Sequence, residues 1–436
     1  MRTLSTEIIS HLDEEVTIKG WLHKKRLLGG LNFILIRDRS GLTQVLVEED
    51  EEIEKLRGMM IGTVMSVTGN VFKDDRAPGG AEIHQPKISI EVPVIDEPPI
   101  EIDKPISHKS EHLDTLFDNR VLGLRSVTEQ SIFRVRAGVL RMIRGFLTEK
   151  EFVEIQTPKL LAEAAEGGAE VFKLDYFDQE ATLAQSPQLY KQIMVGVFER
   201  VFEIAPAYRA EPSATTRHMT ELTMLDVEIG FIDSHEDVLT ILEQLVFKTV
   251  EEVHQKYDDL LKKWNSAEWK LTPNFPRYKV SEVHEMYSKA NNVDTTKEKD
   301  LTPDEEKWIC EYSKKNNGCE AVFVTSFPTS VHKFYQMIDP ADSTLVLTAD
   351  LLFKGVEIAT APVREHRYDK LIEQMRYQGI DPDHAGFKYY LQAFRYGLPP
   401  HGGFGFGIDR FVEKIFNLNN VKEATLFPRD INRLTP

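Results

Sequence analysis

Two arginines and a histidine pose the first question of this sequence. Arg209, Arg217 and His218 lie between two apolar stretches, Val201, Ile204 and Ala207 before them and Met224, Val227 and Ile229 after. That pattern predicts two strands between Arg200 and Ile232, with Arg209 closing the first and Arg217-His218 opening the second. A guanidinium is always charged and matches phosphate in two-point fashion, so such a loop would offer fixed donors to the polyphosphate of a nucleotide. The alternative is a surface hairpin whose arginines pair with Glu203, Glu211 and Glu221, and the stretch alone leaves both open. Asp226 and Glu228 sit within the apolar return strand, where an acid needs a partner or a task. Further on, Asp350 and Glu357 flank Lys354-Gly355 on what read as adjoining strands. Two carboxylates facing polyphosphate would hold Mg²⁺, whereas either acid alone reads equally well as a solvated strand end. Gly402, Gly403, Gly405 and Gly407 would then bring backbone close to a ligand, with Arg410 at the start of a helix.

These residues need elements to hold them. Val16–Leu22, Asn32–Asp38, Leu42–Val47, Thr63–Phe72 and Ala81–Val92 read as strands, with a helix at Glu49–Gly58 after the third. Five strands with that helix predict a small Greek-key barrel of the OB type over residues 1–95. Such barrels bind single-stranded nucleic acid by stacking bases on aromatics beside basic groups. Lys24, Lys25 and Arg26 with Phe33 fit that use, although a core phenylalanine beside a solvated loop fits as well. Pro98, Pro99 and Pro105 mark a stiff hinge, assigned to 96–127. From 128 to 436 the pattern changes. A helix over Thr128–Lys150 carries Ile132, Val135, Val139, Ile143 and Phe146 at three-and-four spacing, and the strand FVEIQTP stops at Pro158, suiting a sheet edge. A helix over 235–262 follows the hairpin, 263–320 reads as a surface insertion, and a glycine-rich turn leads into the last helix. A long helix, antiparallel strands and a closing helix make the class α+β.

Composition narrows the function. The chain has 436 residues, 28% charged and 41% hydrophobic, with a formal charge of -17, which argues against a broad, unspecific nucleic-acid binder. Any nucleic-acid contact must come from a local basic patch. The two cysteines, Cys310 and Cys319, make neither a disulfide framework nor a zinc set and suit a reducing, cytoplasmic setting. The N-terminus is interrupted by acids, and no apolar run approaches membrane-spanning length, so no membrane partner is expected.

In combination these stretches resemble one family. The helix before FVEIQTPKL, the stretch FEIAPAYRAEPSATTRHMTEL and GFGFGIDRF are similar to the three signatures of the class II aminoacyl-tRNA synthetases. Within that class the aspartyl and asparaginyl group is closest, above all the archaeal-type aspartyl enzymes. The resemblance runs from Gly20 to Pro436 and is weakest across 255–320. It implies an anticodon-reading OB barrel, an antiparallel catalytic sheet, a homodimer, ATP as substrate with Mg²⁺, and transfer of L-aspartate to tRNA(Asp) through an aspartyl-adenylate. Arg209 resembles the arginine on the α-phosphate, Glu211 the residue near the adenine, Arg217 and His218 the pair toward the outer phosphates, and Arg410 the arginine on the γ-phosphate. Arg209 and Arg410 are thereby the catalytic pair. Asp350 and Glu357 match the metal ligands. For the amino acid, Gln188 and Lys191 match the aspartate-contacting pair and Arg364 the clamp on the side-chain carboxylate. Asp226 would hold the α-ammonium, Tyr335 line the pocket, and Glu166 sit on a closing loop. A pocket carrying Lys191 and Arg364 would favour an anionic side chain over asparagine.

In the barrel, Phe33, Gln44 and Arg26 match anticodon-contacting positions. His23 and Pro78 stand where enzymes strict for tRNA(Asp) carry a bulky aromatic and a lysine, which implies that tRNA(Asn) is charged too and its product passed to an amidotransferase. Thr360-Ala361-Pro362-Val363-Arg364 departs from the family, which has two glycines before the variable residue and the arginine. Leu27 and Pro212 depart as well. The nearest rival reading is an asparaginyl-tRNA synthetase, and a rival of another kind is a paralogue that binds tRNA or adenylate without charging.

Overall fold

A computed structural model describes residues 2–28, 30–109, 112–162, 170–213, 215–266 and 268–436. They fall into two compact units, 1–107 with 111–130, and 108–110 with 131–436.

The first unit is a barrel built by alternation. Strands β1 (Glu15–Leu28), β2 (Leu31–Arg37) and β3 (Leu42–Leu46) are followed by helix α1 (Asp50–Arg57), then β4 (Val64–Lys73) and β5 (Ala81–Val92). They close in the order β1-β2-β3-β5-β4. Every second residue points inward, so Ile34, Ile36, Val45, Met65, Val67, Val71 and Ile83 form a dry interior. Their neighbours in sequence are left on the outer face. The stretch expected as a hinge contains two short helices, α2 (Leu113–Asp118) and α3 (Arg120–Gly123).

The second unit begins with α4 (Val127–Glu149), β6 (Val153–Glu154), β7 (Leu160–Leu161), β8 (Lys173–Tyr176), β9 (Gln179–Leu183) and α5 (Gln188–Phe198). The hairpin follows as β10 (Arg200–Tyr208) and β11 (Glu221–Gly230), then α6 (His235–Lys262), β12 (Arg277–Lys279), α7 (Val280–Asn291) and α8 (Pro303–Asn316). Next come β13 (Ala321–Pro328), β14 (Leu345–Phe353), β15 (Val356–Thr360), α9 (Tyr368–Tyr377), α10 (Lys388–Arg395), β16 (His401–Gly407) and α11 (Ile408–Phe416). Eight strands form one sheet in the order β12-β13-β14-β15-β16-β11-β10-β6, while β7, β9 and β8 form a separate one. The six central strands are antiparallel neighbours, and only the two edges pair parallel. Helices α4, α6 and α11 cover one face with Val139, Ile143, Leu242, Val246, Phe411 and Ile415 against Phe202, Val227, Phe404 and Phe406. The opposite face is covered only in part, by α5, α7 and α8, and the site lies there.

Three local expectations change. The glycine-rich stretch is not a turn but the strand β16, in the middle of the sheet. Glycine weakens a strand by itself, so the sequence pattern hid it; the close approach of β11 requires it. A Cβ on Gly403 would lie 2.1 Å from the Val227 carbonyl oxygen and 2.4 Å from the Glu228 carboxylate. Residues 277–316 are not a surface appendage, since β12 extends the main sheet and α7 and α8 bury Val283, Ile309 and Cys310 against Val322 and Leu352. Arg217 and His218 lie in the hairpin loop, short of β11, which begins at Glu221.

Candidate active site

This second face of the sheet carries a cavity of about 210 Å³ lined by Gln188, Lys191, Arg209, Glu211, Arg217, His218, Asp226, Tyr335, Glu357, Arg364 and Arg410. These residues come from α5, the hairpin loop after β10, β11, the segment between β13 and β14, β15 and the segment after it, and α11, brought together by the strand order β15-β16-β11-β10. Thr360, Pro362, Gly405 and Gly407 complete its floor. Of the four glycines, therefore, Gly405 and Gly407 face the cavity. Gly402 and Gly403 instead make room for Val238, Ile232 and Glu228.

One end is basic and partly open. Arg209 follows directly on β10, its backbone N–H donating to the Thr220 carbonyl across the hairpin at 2.9 Å. Its guanidinium stands 3.9 Å from Glu211, and His218 Nε2 is 3.5 Å from the other oxygen of the same carboxylate. Arg217 donates to Glu306 at 2.9 Å and to the Gly355 carbonyl at 3.4 Å. Arg410 donates to the Glu357 carbonyl at 3.0 Å and approaches its carboxylate at 3.5 Å. Asp409, the preceding residue, accepts from Arg136 at 2.5 Å and from the Thr223 N–H at 2.7 Å, which pins the first turn of α11 to β11.

Asp350 lies behind this end and does not line the cavity. It pairs across the sheet with Thr360, whose hydroxyl donates to Glu357 at 2.7 Å. Burial first, and the Glu357 charge second, push the Asp350 carboxyl well above the usual carboxylate range. Two carboxylates that repel each other beside a basic cavity fit a hard dication, and two of them suffice for Mg²⁺ only when phosphate oxygens fill the remaining positions. The donor set thus fits the metal implied by the sequence.

The other end is dry. Lys191, on α5, reaches Asp226 at 3.0 Å and Glu228 at 3.4 Å, and donates to the Phe404 carbonyl at 3.2 Å. Arg364 clasps Glu228 with two bonds of 2.8 and 3.1 Å and lies 5.4 Å over the Tyr335 ring. Burial raises the Glu228 carboxyl, but Arg364 and Lys191 outweigh it and leave the group below its ordinary value. Behind them Gln188 donates to Gln192, Gln192 to His401 at 2.8 Å, and Tyr390 to Gln192 at 3.2 Å. His401 Nδ1 is bonded to the Pro399 carbonyl, so that nitrogen carries the proton and Nε2 accepts; burial pulls its pKa down to about 4.

This end corrects the charge argument made from sequence. Lys191 and Arg364 are not an uncompensated pair, because β11 alternation puts Asp226 and Glu228 on the same face beneath them. Glu228 was visible only as a second acid in an apolar strand. Gln192, His401 and Tyr390 gave no signal, their roles arising from contacts across some two hundred residues. The unusual Ala361-Pro362 pair is accommodated. Ala361 turns into the core and exchanges backbone bonds with Ala349, and Pro362 lacks a donor where its carbonyl alone is needed, accepting from Gly403 at 3.1 Å. Glu166 lies outside the described residues.

The comparisons with known proteins agree with this geometry. The family described as tRNA synthetases class II (D, K and N) matches residues 112–431, and the OB-fold nucleic acid binding domain matches 16–95. The chain belongs to the class II tRNA synthetases. A relative from Thermus thermophilus named Aspartate–tRNA(Asp/Asn) ligase is 38% identical, with 100% of both chains covered. One from Pyrococcus furiosus named Aspartate–tRNA(Asp) ligase is also 38% identical, over 99% of each. The asparaginyl-tRNA synthetase of Pyrococcus horikoshii, solved with asparaginyl-adenylate, superimposes with a TM-score of 0.89 at 32% identity over 100% of both chains.

In the synthetase's barrel the expected anticodon residues fall on the outer face. Arg26 lies 6.0 Å over the half-buried Phe33, its partner in the β1–β2 pairing. Gln44 donates to Glu82 at 2.7 Å, Glu82 bonds His84 at 2.8 Å, and His84 packs on Phe72 with ring centroids 4.5 Å apart. Alternation in β4 and β5 could have added Phe72, Glu82 and His84 to the expected set. His23 sits at an irregularity between Leu22 and Lys24, half-buried, its pKa lowered by burial and by Arg37. Pro78 opens the short turn before β5, which packs on β3.

Proposed function

We propose that this synthetase ligates L-aspartate to tRNA(Asp), and also to tRNA(Asn), through an aspartyl-adenylate made from ATP. The carrying observation is that the residues matched to nucleotide and to amino acid line a single cavity, basic and open at one end, dry and charge-matched at the other. Bound Mg²⁺, held by Asp350 and Glu357, would offset the charge of the phosphates. The α-carboxylate of aspartate is already ionised and needs no protein base. It attacks the α-phosphorus in line, a P–O bond forms, and the bond to the β-phosphate breaks with release of pyrophosphate. Arg209 stabilises charge on the equatorial oxygens, while Arg217, His218 and Arg410 bind the outer phosphates and Glu211 lies toward the adenine. A terminal ribose hydroxyl of tRNA then attacks the acyl carbonyl and AMP leaves.

The charge balance favours aspartate. Lys191 and Arg364 are balanced by Asp226 and Glu228 in the empty pocket. When Asp226 takes the substrate ammonium, Lys191 and Arg364 are left with Glu228 alone, and the substrate side-chain carboxylate restores neutrality. Neutral asparagine would leave one buried positive charge unmatched. Gln188 and Tyr335 shape the pocket, and Glu166 is proposed for the closing loop.

For the anticodon, Arg26, Phe33 and Gln44 supply stacking and hydrogen bonding, and His23 and Pro78 relax contact with the third base. The relative named for both tRNAs supports that breadth. An enzyme charging both would work in the cytoplasm and hand Asp-tRNA(Asn) to an amidotransferase. A homodimer is proposed along the edge strand β6, which exposes Val153. The domain roles proposed are anticodon binding for 1–95 and catalysis for 128–436. The deciding measurement is ATP–pyrophosphate exchange with aspartate, asparagine and glutamate in parallel, followed by charging of tRNA(Asp) and tRNA(Asn) transcripts. Exchange with aspartate alone and charging of both is expected. Exchange with asparagine alone would replace this reading by the asparaginyl one.

A further inference from the structure

Arg217 is gripped from two sides, and one grip comes from a helix that sequence reasoning had set on the surface. The start of α8 is fixed in place. Thr302 and Glu305 exchange the reciprocal bonds of a capping box, the Glu305 carboxylate accepting from the Thr302 N–H at 2.9 Å. Glu305 also bonds His284 at 2.7 Å and accepts from Thr295 at 2.6 Å, tying α8 to α7 and to the segment between them. The next residue, Glu306, therefore has a set origin, and its carboxylate meets Arg217 at 2.9 Å. On the other side Gly355, at φ +83° in the β14–β15 turn, offers its carbonyl to the same guanidinium at 3.4 Å. Helix α8 presses on that turn closely enough that a Cβ on Gly355 would lie 3.1 Å from Lys307 Cγ. Both holders of Arg217 thus belong to one packed unit.

From this we infer that Glu306 is a positioning residue for nucleotide binding, holding Arg217 in the cavity before the triphosphate arrives. The inference rests on the phosphate-binding role of Arg217 proposed above. A guanidinium has five donors in a rigid fork. Glu306 engages one nitrogen and Gly355 the other terminal one, so further N–H groups remain for the cavity that Arg217 lines. The tether need not break on binding. Ordering a long side chain is opposed by rotamer entropy, and an arginine ordered in advance spares the ligand that loss. Glu306 is also an anion near a polyanion's site, which would weaken binding. Arg217 lines the cavity and Glu306 does not, so the guanidinium screens that repulsion.

The test is ATP–pyrophosphate exchange at saturating aspartate with Glu306→Gln and Glu306→Leu. Loss of a charge-assisted tether raises the KM for ATP about tenfold or more, with the KM for aspartate and the Tm close to wild type. In an Arg217→Ala background, adding Glu306→Leu has no further effect on the KM for ATP. An unchanged or lower KM for ATP in the single variants overturns the proposal. So does a parallel rise in both KM values with a fall in Tm, which would mark Glu306 as merely structural. Equilibrium dialysis with ATP and Mg²⁺ reads the same contact without an amino acid. A wild-type chain that binds ATP yet exchanges with no amino acid would sink the aspartate reading and leave the Glu306 comparison to stand or fall by itself.

Discussion

The two ends of the cavity hold charge in different ways. At the end proposed for phosphate Arg209 is 41% exposed and its acidic neighbour is 3.9 Å away, while at the end proposed for the amino acid Lys191 and Arg364 are 1% and 3% exposed and grip Asp226 and Glu228 at 3.0 and 2.8 Å. On the proposed reading a triphosphate brings several charges and a metal of its own, so one arginine held as loosely as Arg209 can find it beside the tethered Arg217. A single carboxylate brings one charge and must be told from an amide of the same shape. That discrimination requires dry, fully matched partners, because only there does one missing charge weigh heavily. The difference teaches that the same cavity holds charge openly at one end and dry at the other, which on the proposed reading suits turnover and selection, and the expected consequences of mutation separate accordingly.

The largest effect should come from breaking the dry end. Glu228→Leu leaves Arg364 buried without its acid and takes from Lys191 the second of its two, and urea unfolding should show a loss of roughly 3–5 kcal/mol. A loss below about 1 kcal/mol would mean that water reaches this network and that it resembles the open end. Next, Arg209→Ala should leave the urea midpoint unchanged and lower the single-turnover rate of adenylate formation by about 10²–10³-fold. A midpoint shift comparable with that of Glu228→Leu would erase the contrast.

Per pH unit the smallest effect is a pH dependence confined to the dry end. The folded-state pKa of His401 is depressed to about 4, below the unfolded value of 6.5, so its contribution to stability is present above 6.5 and lost as pH falls from there toward 4. Compared with His401→Gln, the wild type should lose stability with an extra slope of about 1.4 kcal/mol per pH unit across that window. Identical slopes would show that His401 is already charged or is not buried in solution.

Much of the architecture was legible because periodicity is local. Strands β1 to β5, helices α4 and α6 and the hairpin of β10 and β11 follow from alternation and from three-and-four spacing. What escaped was set by neighbours. The strand β16 has the sequence of a turn, and only the crowding of Glu228 against Gly403 makes a glycine strand the better solution. Residues 277–316 look polar and interrupted because α7 and α8 each bury one narrow face. Among the candidate site residues, Arg209, Arg217 and Arg410 stood out by their places at a strand end, in the hairpin loop and at a helix start, and Arg364 entered through the family resemblance alone. Glu306 did not, since it follows Asp304 and Glu305 in an ordinary acidic first turn of a helix.

Sequence by itself determined the family and the barrel, and supplied the candidates for handling phosphate, because those depend on residue type and short spacing. Tertiary structure alone decided which charges cancel. Lys191 and Arg364 are separated in the chain by more than a hundred and seventy residues, and Glu228 stands between them only because β11 lies beside β16 in the sheet. Electrostatic selection falls off with distance and with water, and both are fixed by packing rather than by the order of residues.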